Sequence, residues 1–405
     1  MNILFLYISL PHLSESGVFT DLIKEFATQG HNVKVATPSK KGINEGVNQE
    51  AGIDVLRFKT DQLINNTSNI KKGIAYMKLA YQFPNVVKRY FGKEKFDLIV
   101  GHSLPTEIGI IAKILKKRYK APFYLMLCEY IWQDSVSLGF FKENGLICKY
   151  YRWLEKITVG SADYIGSPSQ GNIDFTLKYY PWAKEKNIQV LHYTQAPIQL
   201  KGSDDDIKAK YGLTGKFVAI YGGNMSIAQK IENVVDLAEA CIGYEDIVFL
   251  LLGRGQEIEA IKKIVRERAL KNISFLDFMT KDDYNNLLSV CNVGLISLNE
   301  KLAIPNIPSK TLSYFNLSIP VVASIDRNTD YGQYLESAGA GLWSYAGDTS
   351  KFKENLLKMY HAPELCKEMG ENGYRFYNVN MLPEKAYGTI IKQLKNNVIF
   401  ENKLI

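Results

Sequence analysis

Short apolar runs alternate along this chain with longer stretches in which apolar residues recur every three or four positions. Runs of the first kind predict buried strands, and stretches of the second kind predict helices with one face turned inward. In the first half the runs fall at 3–8, 32–37, 53–58, 98–101, 123–127, 164–167 and 188–191, with helices at 18–29, 107–118, 146–159 and near 172–178. The second half repeats the scheme. Its strands are predicted at 217–221, 247–252, 273–275, 293–297, 321–323 and 341–343. Its helices are predicted at 231–241, 257–269, 281–289, 310–315, 331–337, 349–360 and 363–376, and a last one runs from about 384 to 397 after Met381-Leu382-Pro383. Between the halves, 195–206 is polar, with one proline, one glycine and three consecutive aspartates, and reads as a linker whose end caps the next helix. Alternating strands and helices call for parallel sheets covered on both faces, with ligands beyond the carboxyl ends of the strands. Two such sheets facing each other would leave a cleft.

Composition sharpens this picture. A chain of 405 residues with 46% hydrophobic content suits about two domains. The expected division is 1–198, joined by a C-terminal helix at about 384–405, and 199–383. Five cysteines are scattered, with no C-x-x-C pair and no Cys/His cluster at zinc-like spacing. This suits a reducing compartment and argues against a structural metal. The apolar start lacks a positive leading region and a small-residue cleavage site, so a buried first strand is expected there. No apolar run approaches the ~20 residues that span a bilayer. The expectation is a soluble cytoplasmic protein, or one attached peripherally to the inner face of the cell membrane.

Charge is unevenly placed. Residues 1–200 hold 25 Lys/Arg and 17 Asp/Glu, whereas 201–405 hold 24 and 25, so the excess is all in the first half. Much of it lies at Lys71, Lys72, Lys78, Lys88, Arg89, Lys93 and Lys95, mixed with aromatic residues. Two readings of 70–95 stand open: an anionic membrane surface as partner, or a solvated helix face. Residues 113–120 read as a solvated face. No nucleic-acid-binding motif stands out, so nucleic acid is excluded as a partner. A Ser-His-Asp or Cys-His hydrolase is not supported, because no Gly-x-Ser-x-Gly elbow is present.

Two stretches carry candidate chemistry. In 304–323, a loop of proline and small residues leads into a short helix, then into an apolar strand. The amides at such a helix start, with Lys310 beside them, suit a diphosphate. Upstream, the strand 217–221 is expected to end in Gly222-Gly223, where backbone can approach a phosphate. Two phosphate seats in one Rossmann-like half reinforce each other. Glu129 and His102 each follow a predicted strand, at the edge where substrates bind. Glu129 reads as an acceptor ligand or general base, or as an ordinary strand-end carboxylate. His102 reads as a donor-phosphate or acceptor contact, or as part of a helix cap. His31 reads as structural, and His12, His192 and His361 show no supporting pattern. Asp204 to Asp206 read as linker and cap.

Taken together, the chain resembles the GT-B nucleotide-sugar glycosyltransferases, specifically the large retaining family 4, nearly end to end. The resemblance rests on Gly30-His31-Asn32-Val33-Lys34-Val35, on the loop from Tyr221 to Ile231, on Leu252-Gly253-Arg254-Gly255 with the strand after it, and on 304–323. The last is similar to the bacterial branch with a Pro-Ser-Lys donor loop. The implied fold is α/β GT-B, two Rossmann-like domains with parallel sheets across a cleft. The implied activity moves a sugar, with retention and no divalent metal, from a nucleotide diphosphate sugar, foremost a UDP-sugar. The acceptor is a glycan or a polyprenyl-linked glycan of cell-surface polysaccharide or lipopolysaccharide assembly. No cofactor beyond this substrate is implied. Implied donor contacts are Gly222, Gly223, Asn224, Gln229, Lys230, Gly253, Arg254, Phe278, Asn306, Ser309, Lys310, Thr311, Leu312 and Ser313, with Arg254 also read as a solvated loop residue. Ser16, Gly17, His102 and Glu129 fall on the acceptor side, and Glu129 and Lys310 stand as catalytic candidates. The chain departs from the family at Pro305 and Ser313, where many members carry glutamates. That departure keeps open a catalytically silent glycan- or partner-binding relative. A GT-B-fold sugar-nucleotide epimerase or hydrolase is the other alternative, and it would need acid–base groups in the cleft that the departure removes rather than adds.

Overall fold

The computed structural model describes residues 1–39, 45–60, 69–104, 106–277 and 279–396, with side chains for all of these except 69–74. The chain divides into two compact units, Met1–Ala196 with the last helix, and Pro197–Leu382.

The first unit opens with β1 (Asn2–Leu6), α1 (Val18–Thr28), β2 (Asn32–Pro38), β3 (Gly46–Glu50) and β4 (Ile53–Phe58). It continues with α2 (Asn69–Phe91), β5 (Leu98–His102), α3 (Ile108–Tyr119), β6 (Phe123–Met126), α4 (Trp132–Ser137) and α5 (Leu146–Ser161). Then come β7 (Tyr164–Ser167), α6 (Gln170–Tyr179) and β8 (Asn187–Val190). The sheet runs β3-β4-β2-β1-β5-β6-β7-β8. Every pairing is parallel except β3 with β4. The antiparallel edge corrects the expectation of a purely parallel sheet. Ala51 and Gly52 turn the hairpin with φ of 51° and 78°, which matches the twist of the flanking strands. The polar β3 sequence and an alanine at the first turn position hid it.

The second unit contains α7 (Asp204–Tyr211), β9 (Phe217–Asn224), α8 (Glu232–Ala240), β10 (Ile247–Arg254), α9 (Ile258–Glu267), β11 (Ile273–Leu276) and α10 (Lys281–Ser289). It ends with β12 (Val293–Ser297), α11 (Thr311–Asn316), β13 (Val321–Ile325), α12 (Tyr331–Ala338), β14 (Gly341–Tyr345), α13 (Thr349–His361) and α14 (Pro363–Asn380). The last helix, α15 (Pro383–Lys395), belongs to the first unit. The second sheet runs β11-β10-β9-β12-β13-β14, all parallel. β12 and β13 are buried along their whole length, as strands covered on both faces must be.

Local signals set the helix starts. Ser203, Thr280 and Asp348 each accept the amide three residues on, at 3.3, 3.1 and 2.9 Å, which satisfies a free first-turn donor. The three aspartates at 204–206 therefore form the first turn of α7, and Ser203 is the cap. A second correction concerns Gly222-Gly223. The strand runs through them to Asn224, in register with Leu252, Gly253 and Arg254 of β10.

Candidate functional site

In the second unit, the strand order reverses between β9 and β12, and an open sheet binds ligands beyond the carboxyl ends at such a point. These two strands pair only at Ala219–Val293 and Ile220–Gly294. Beyond that the buried Tyr314 of α11 fills the gap, its hydroxyl 3.3 Å from the Ile220 carbonyl and 3.2 Å from that of Leu295. The Gly222 backbone also hydrogen-bonds to this hydroxyl. A Cβ on Gly294 would meet the Tyr314 ring at 2.5 Å, so the wedge requires glycine there.

Glycines then bring backbone and side chains unusually close. A Cβ at Gly222 would collide with the Tyr284 hydroxyl, and one at Gly253 with the Gly223 carbonyl. Gly223 is exposed, and its φ of +134° is left-handed. Over it lies Lys310. A Cβ on Gly223 would be 3.3 Å from Lys310 Cε, and Lys310 Nζ stands 3.8 Å from the centre of the Tyr221 ring. Among the described residues no carboxylate pairs with this ammonium. The residue keeps some exposure, and desolvation by the protein around it lowers its pKa to about 7.

The other donor-side residues divide into two groups. Ser309 and Arg254 are exposed, Asn306 and Ser313 are half-buried, and the Asn224 carbonyl accepts the Tyr221 hydroxyl at 2.6 Å. Lys230 grips both carboxylate oxygens of Glu300 at 2.5 and 2.6 Å, and Gln229 Oε1 accepts the Ser226 hydroxyl at 2.5 Å. Thr311 and Leu312 are buried, and Thr311 Oγ1 sits 2.6 Å from the Tyr331 hydroxyl. Their side chains face the core, and their amides already donate to the carbonyls of Pro308 (3.1 Å) and Ser309 (3.2 Å), so neither offers the free donor expected of a donor contact. Loop 302–310 is tied to the segment after β13 by Asn328 to the Leu302 carbonyl (2.6 Å) and Thr329 to the Asn306 carbonyl (2.8 Å). Phe278 lies outside the described residues.

In the first unit, the order reverses between β1 and β5, and the acceptor-side residues gather at that end of the sheet. The loop after β1 is anchored by Arg57, fully buried, which forks onto Glu50 at 2.8 Å and donates to the carbonyls of Leu10 (2.8 Å) and Pro11 (2.9 Å). Asp21 accepts the Ser16 hydroxyl at 2.6 Å, the Gly17 amide at 3.1 Å and the Ala196 amide at 2.9 Å. Phe19 then packs 4.6 Å from the His102 ring. His102 is buried and accepts the Leu104 amide at 3.3 Å. Desolvation lowers its pKa to about 4, so it is a neutral hydrogen-bonding group at neutral pH.

Ser103 Oγ, beside His102, accepts the amides of Cys128 at 3.2 Å and Glu129 at 3.0 Å. Three and four residues past Glu129, Trp132 and Gln133 are held by Glu155. Its Oε1 accepts Trp132 Nε1 (3.2 Å), Gln133 Nε2 (2.7 Å) and the Tyr180 hydroxyl (2.7 Å). Tyr130, Trp132 and Gln133 are buried while Glu129 is exposed. The segment is thus clamped at both ends and presents Glu129 outward. Surrounding protein raises the Glu129 pKa, and its solvent exposure limits that effect.

Sequence reasoning missed Asp21, Glu50–Arg57, Ser103 and Glu155. Asp21 carried a usable signal, an acid in the first helical turn placed to reach back to the cap. The others are polar residues whose burial only the fold creates.

Two family models match the chain, "Glycosyl transferase 4-like domain" over residues 17–184 and "Glycosyl transferases group 1" over 203–376. Among curated proteins, the chain is similar to WcaI of Escherichia coli, named as a glycosyl transferase of colanic acid biosynthesis. The two are 21% identical over 355 residues, 81% of this chain and 84% of WcaI. It is also 22% identical to the glycosyltransferase WbjE of Pseudomonas aeruginosa, over 68% of this chain and 69% of that one. Among solved structures, sucrose-phosphate synthase from Thermosynechococcus elongatus superposes with a TM-score of 0.74 at 15% identity, covering 98% of this chain and all of that one. Anabaena HepE in complex with UDP-glucose gives 0.68 at 15% identity, over 98% and 100%. WaaG, a glycosyltransferase of lipopolysaccharide biosynthesis, gives 0.67 at 14% identity, over 96% and 99%. At such identities these likenesses show the fold, a two-domain GT-B-like α/β architecture.

Proposed function

This chain belongs to the group 1 glycosyltransferases, and on that premise we propose that it moves a sugar from a UDP-sugar to a glycan or polyprenyl-linked acceptor. The observation that carries this reading is Lys310: a desolvated ammonium without a carboxylate partner among the described residues, poised over Gly223 at the switch point of β9 and β12. A partly desolvated cation of that kind is completed by an anion, and a diphosphate supplies one. In transfer, the bond from the anomeric carbon to the diphosphate oxygen breaks, and one forms to an acceptor hydroxyl oxygen. The hydroxyl proton passes to a base or to the departing phosphate. Lys310 and the backbone around Gly223 and 307–310 would stabilise the charge that grows on the leaving diphosphate. Glu129 and the neutral His102, with Ser16 and Gly17 nearby on the same sheet edge, would hold the acceptor. Retention of configuration follows the family resemblance. So does independence from divalent metal, and activity is expected to persist in a chelator. The names of WcaI and WaaG support a place in cell-surface polysaccharide or lipopolysaccharide assembly, at an anionic membrane surface where the acceptor is lipid-held.

The test is a thermal-shift panel of UDP-, GDP- and dTDP-sugars, followed by transfer assays with a polyprenyl-linked glycan. A ligand at a hundred times its Kd stabilises by about 2.7 kcal/mol, so UDP species are expected to raise Tm clearly, and Lys310→Ala to abolish the rise. Absence of a shift with every nucleotide would sink the donor site. Binding without transfer would favour the silent relative, and an epimerised sugar without acceptor would favour the epimerase.

A further inference from the structure

The first unit exposes large apolar side chains in one region. Leu146 is 85% exposed, Ile147 59%, Phe140 54% and Trp153 51%. These belong to α5 and the turn that precedes it. Leu146, Tyr150 and Trp153 recur at four and three residues and so share one helix face. Exposed Lys149 and Lys156 flank that face, and exposed Lys142 sits in the turn. α2 extends the same region. Its Tyr81 and Tyr76 lie within electrostatic reach of Tyr150 and Tyr151 of α5, and its Tyr81 and Met77 are exposed at 62% and 43%. The sequence around α2 has no acid between Asp61 and Glu94. Opposing charge is sparse there: Glu143 in the turn pairs with Arg152 at 3.4 Å, the buried Glu107 accepts the Tyr150 hydroxyl at 3.4 Å, and Glu155 is buried among its own donors.

We propose that this face of α2 and α5 docks on an anionic bilayer, with Leu146, Ile147 and Trp153 entering the acyl boundary and the lysines reaching the headgroups. The inference rests on the reading of a membrane-held acceptor and names the surface that would bring the protein to it. Apolar side chains rimmed by lysine and tyrosine match an interface that is oily inside and anionic at its edge. A second copy of this chain fits poorly, since both partners would present the same lysines. No helix among the described residues is long and apolar enough to cross a membrane, so docking would be peripheral.

The experiment is co-sedimentation of the full chain with vesicles of phosphatidylethanolamine and phosphatidylglycerol, with phosphatidylcholine vesicles as the neutral control. The parent protein is expected to bind the anionic vesicles, to release them as salt is raised, and to leave the neutral ones. Leu146→Ser with Ile147→Ser should weaken binding roughly tenfold or more, and Trp153→Ala should also weaken it. UDP-induced stabilisation should stay unchanged in every variant, which shows that the fold and donor site are intact. Variants that bind vesicles like the parent would overturn the docking face. So would a parent that ignores anionic vesicles, or one that forms a dimer which these substitutions dissociate. A parent that binds vesicles but transfers no sugar to a lipid-linked acceptor would overturn the acceptor reading and leave the docking face standing.

Discussion

Lys310 concentrates the chemistry at the residue scale. Its folded-state pKa of about 7 lies below the 10.5 of a free lysine. Between those values the unfolded chain binds more protons than the folded one, so this group makes stability rise with pH across that window. Lys310→Met should flatten that rise, read as Tm against pH. An anion bound at the site would restore the proton. UDP binding is therefore expected to take up a proton above pH 7 and to weaken as pH climbs towards 9, which calorimetry in buffers of different ionisation enthalpy will reveal. Gly253 is the second residue of note. A methyl there meets the Gly223 carbonyl and must force β9 and β10 apart. Gly253→Ala should cost about 1–3 kcal/mol, as overpacking does, and should weaken UDP binding by shifting Gly223 under Lys310.

At the scale of elements, two buried carboxylates decide how loops stand. The Arg57–Glu50 fork joins β3 and β4 to the loop after β1. Arg57→Met strands a buried charge and should lower stability by about 3–5 kcal/mol, whereas adding Glu50→Leu should recover much of the loss. A denaturant series on the two single variants and the double variant reads this directly. Glu155 plays the matching part for α4. Burial raises its pKa above the usual carboxylate range, so the folded chain holds that proton to higher pH than the unfolded one. Its contribution to stability falls as pH rises from about 4.5 towards the raised value, and Glu155→Gln should remove that slope. Glu155→Ala leaves Tyr180, Trp132 and Gln133 without their acceptor, at on the order of 1–3 kcal/mol for each donor left unmet. The segment bearing Glu129 should loosen with it. If Glu129 binds acceptor, acceptor KM should rise while UDP binding holds.

For the molecule as a whole, the return of α15 to the first unit is the main feature. Ala386, Ile390 and Leu394 enter that unit's core, Gln393 donates to the carbonyls of Ile165 (3.2 Å) and Asn187 (2.6 Å), and Tyr387 meets His31 at 3.0 Å. Removing the chain from Pro383 onward should lower the melting transition of the first unit and leave nucleotide binding by the second intact. Calorimetry with and without UDP separates the two. Loss of UDP binding in that truncation would show that the second unit depends on the helix.

The alternation of apolar runs and helical stretches was enough to place most strands and helices, though not β3 or the short α4, because burial on both faces of a parallel sheet imposes a strong pattern. The residue types at 222–223 and 310 were enough to single out a candidate site, since glycine permits close backbone approach and lysine carries a cation. Packing decided the rest. It carried β9 through its two glycines, turned Thr311 and Leu312 into the core, set Lys230 against Glu300, and buried Glu50 and Glu155 among donors. Each of these outcomes depends on which groups meet across the fold, and desolvation and close approach arise only when residues far apart in the chain are brought together.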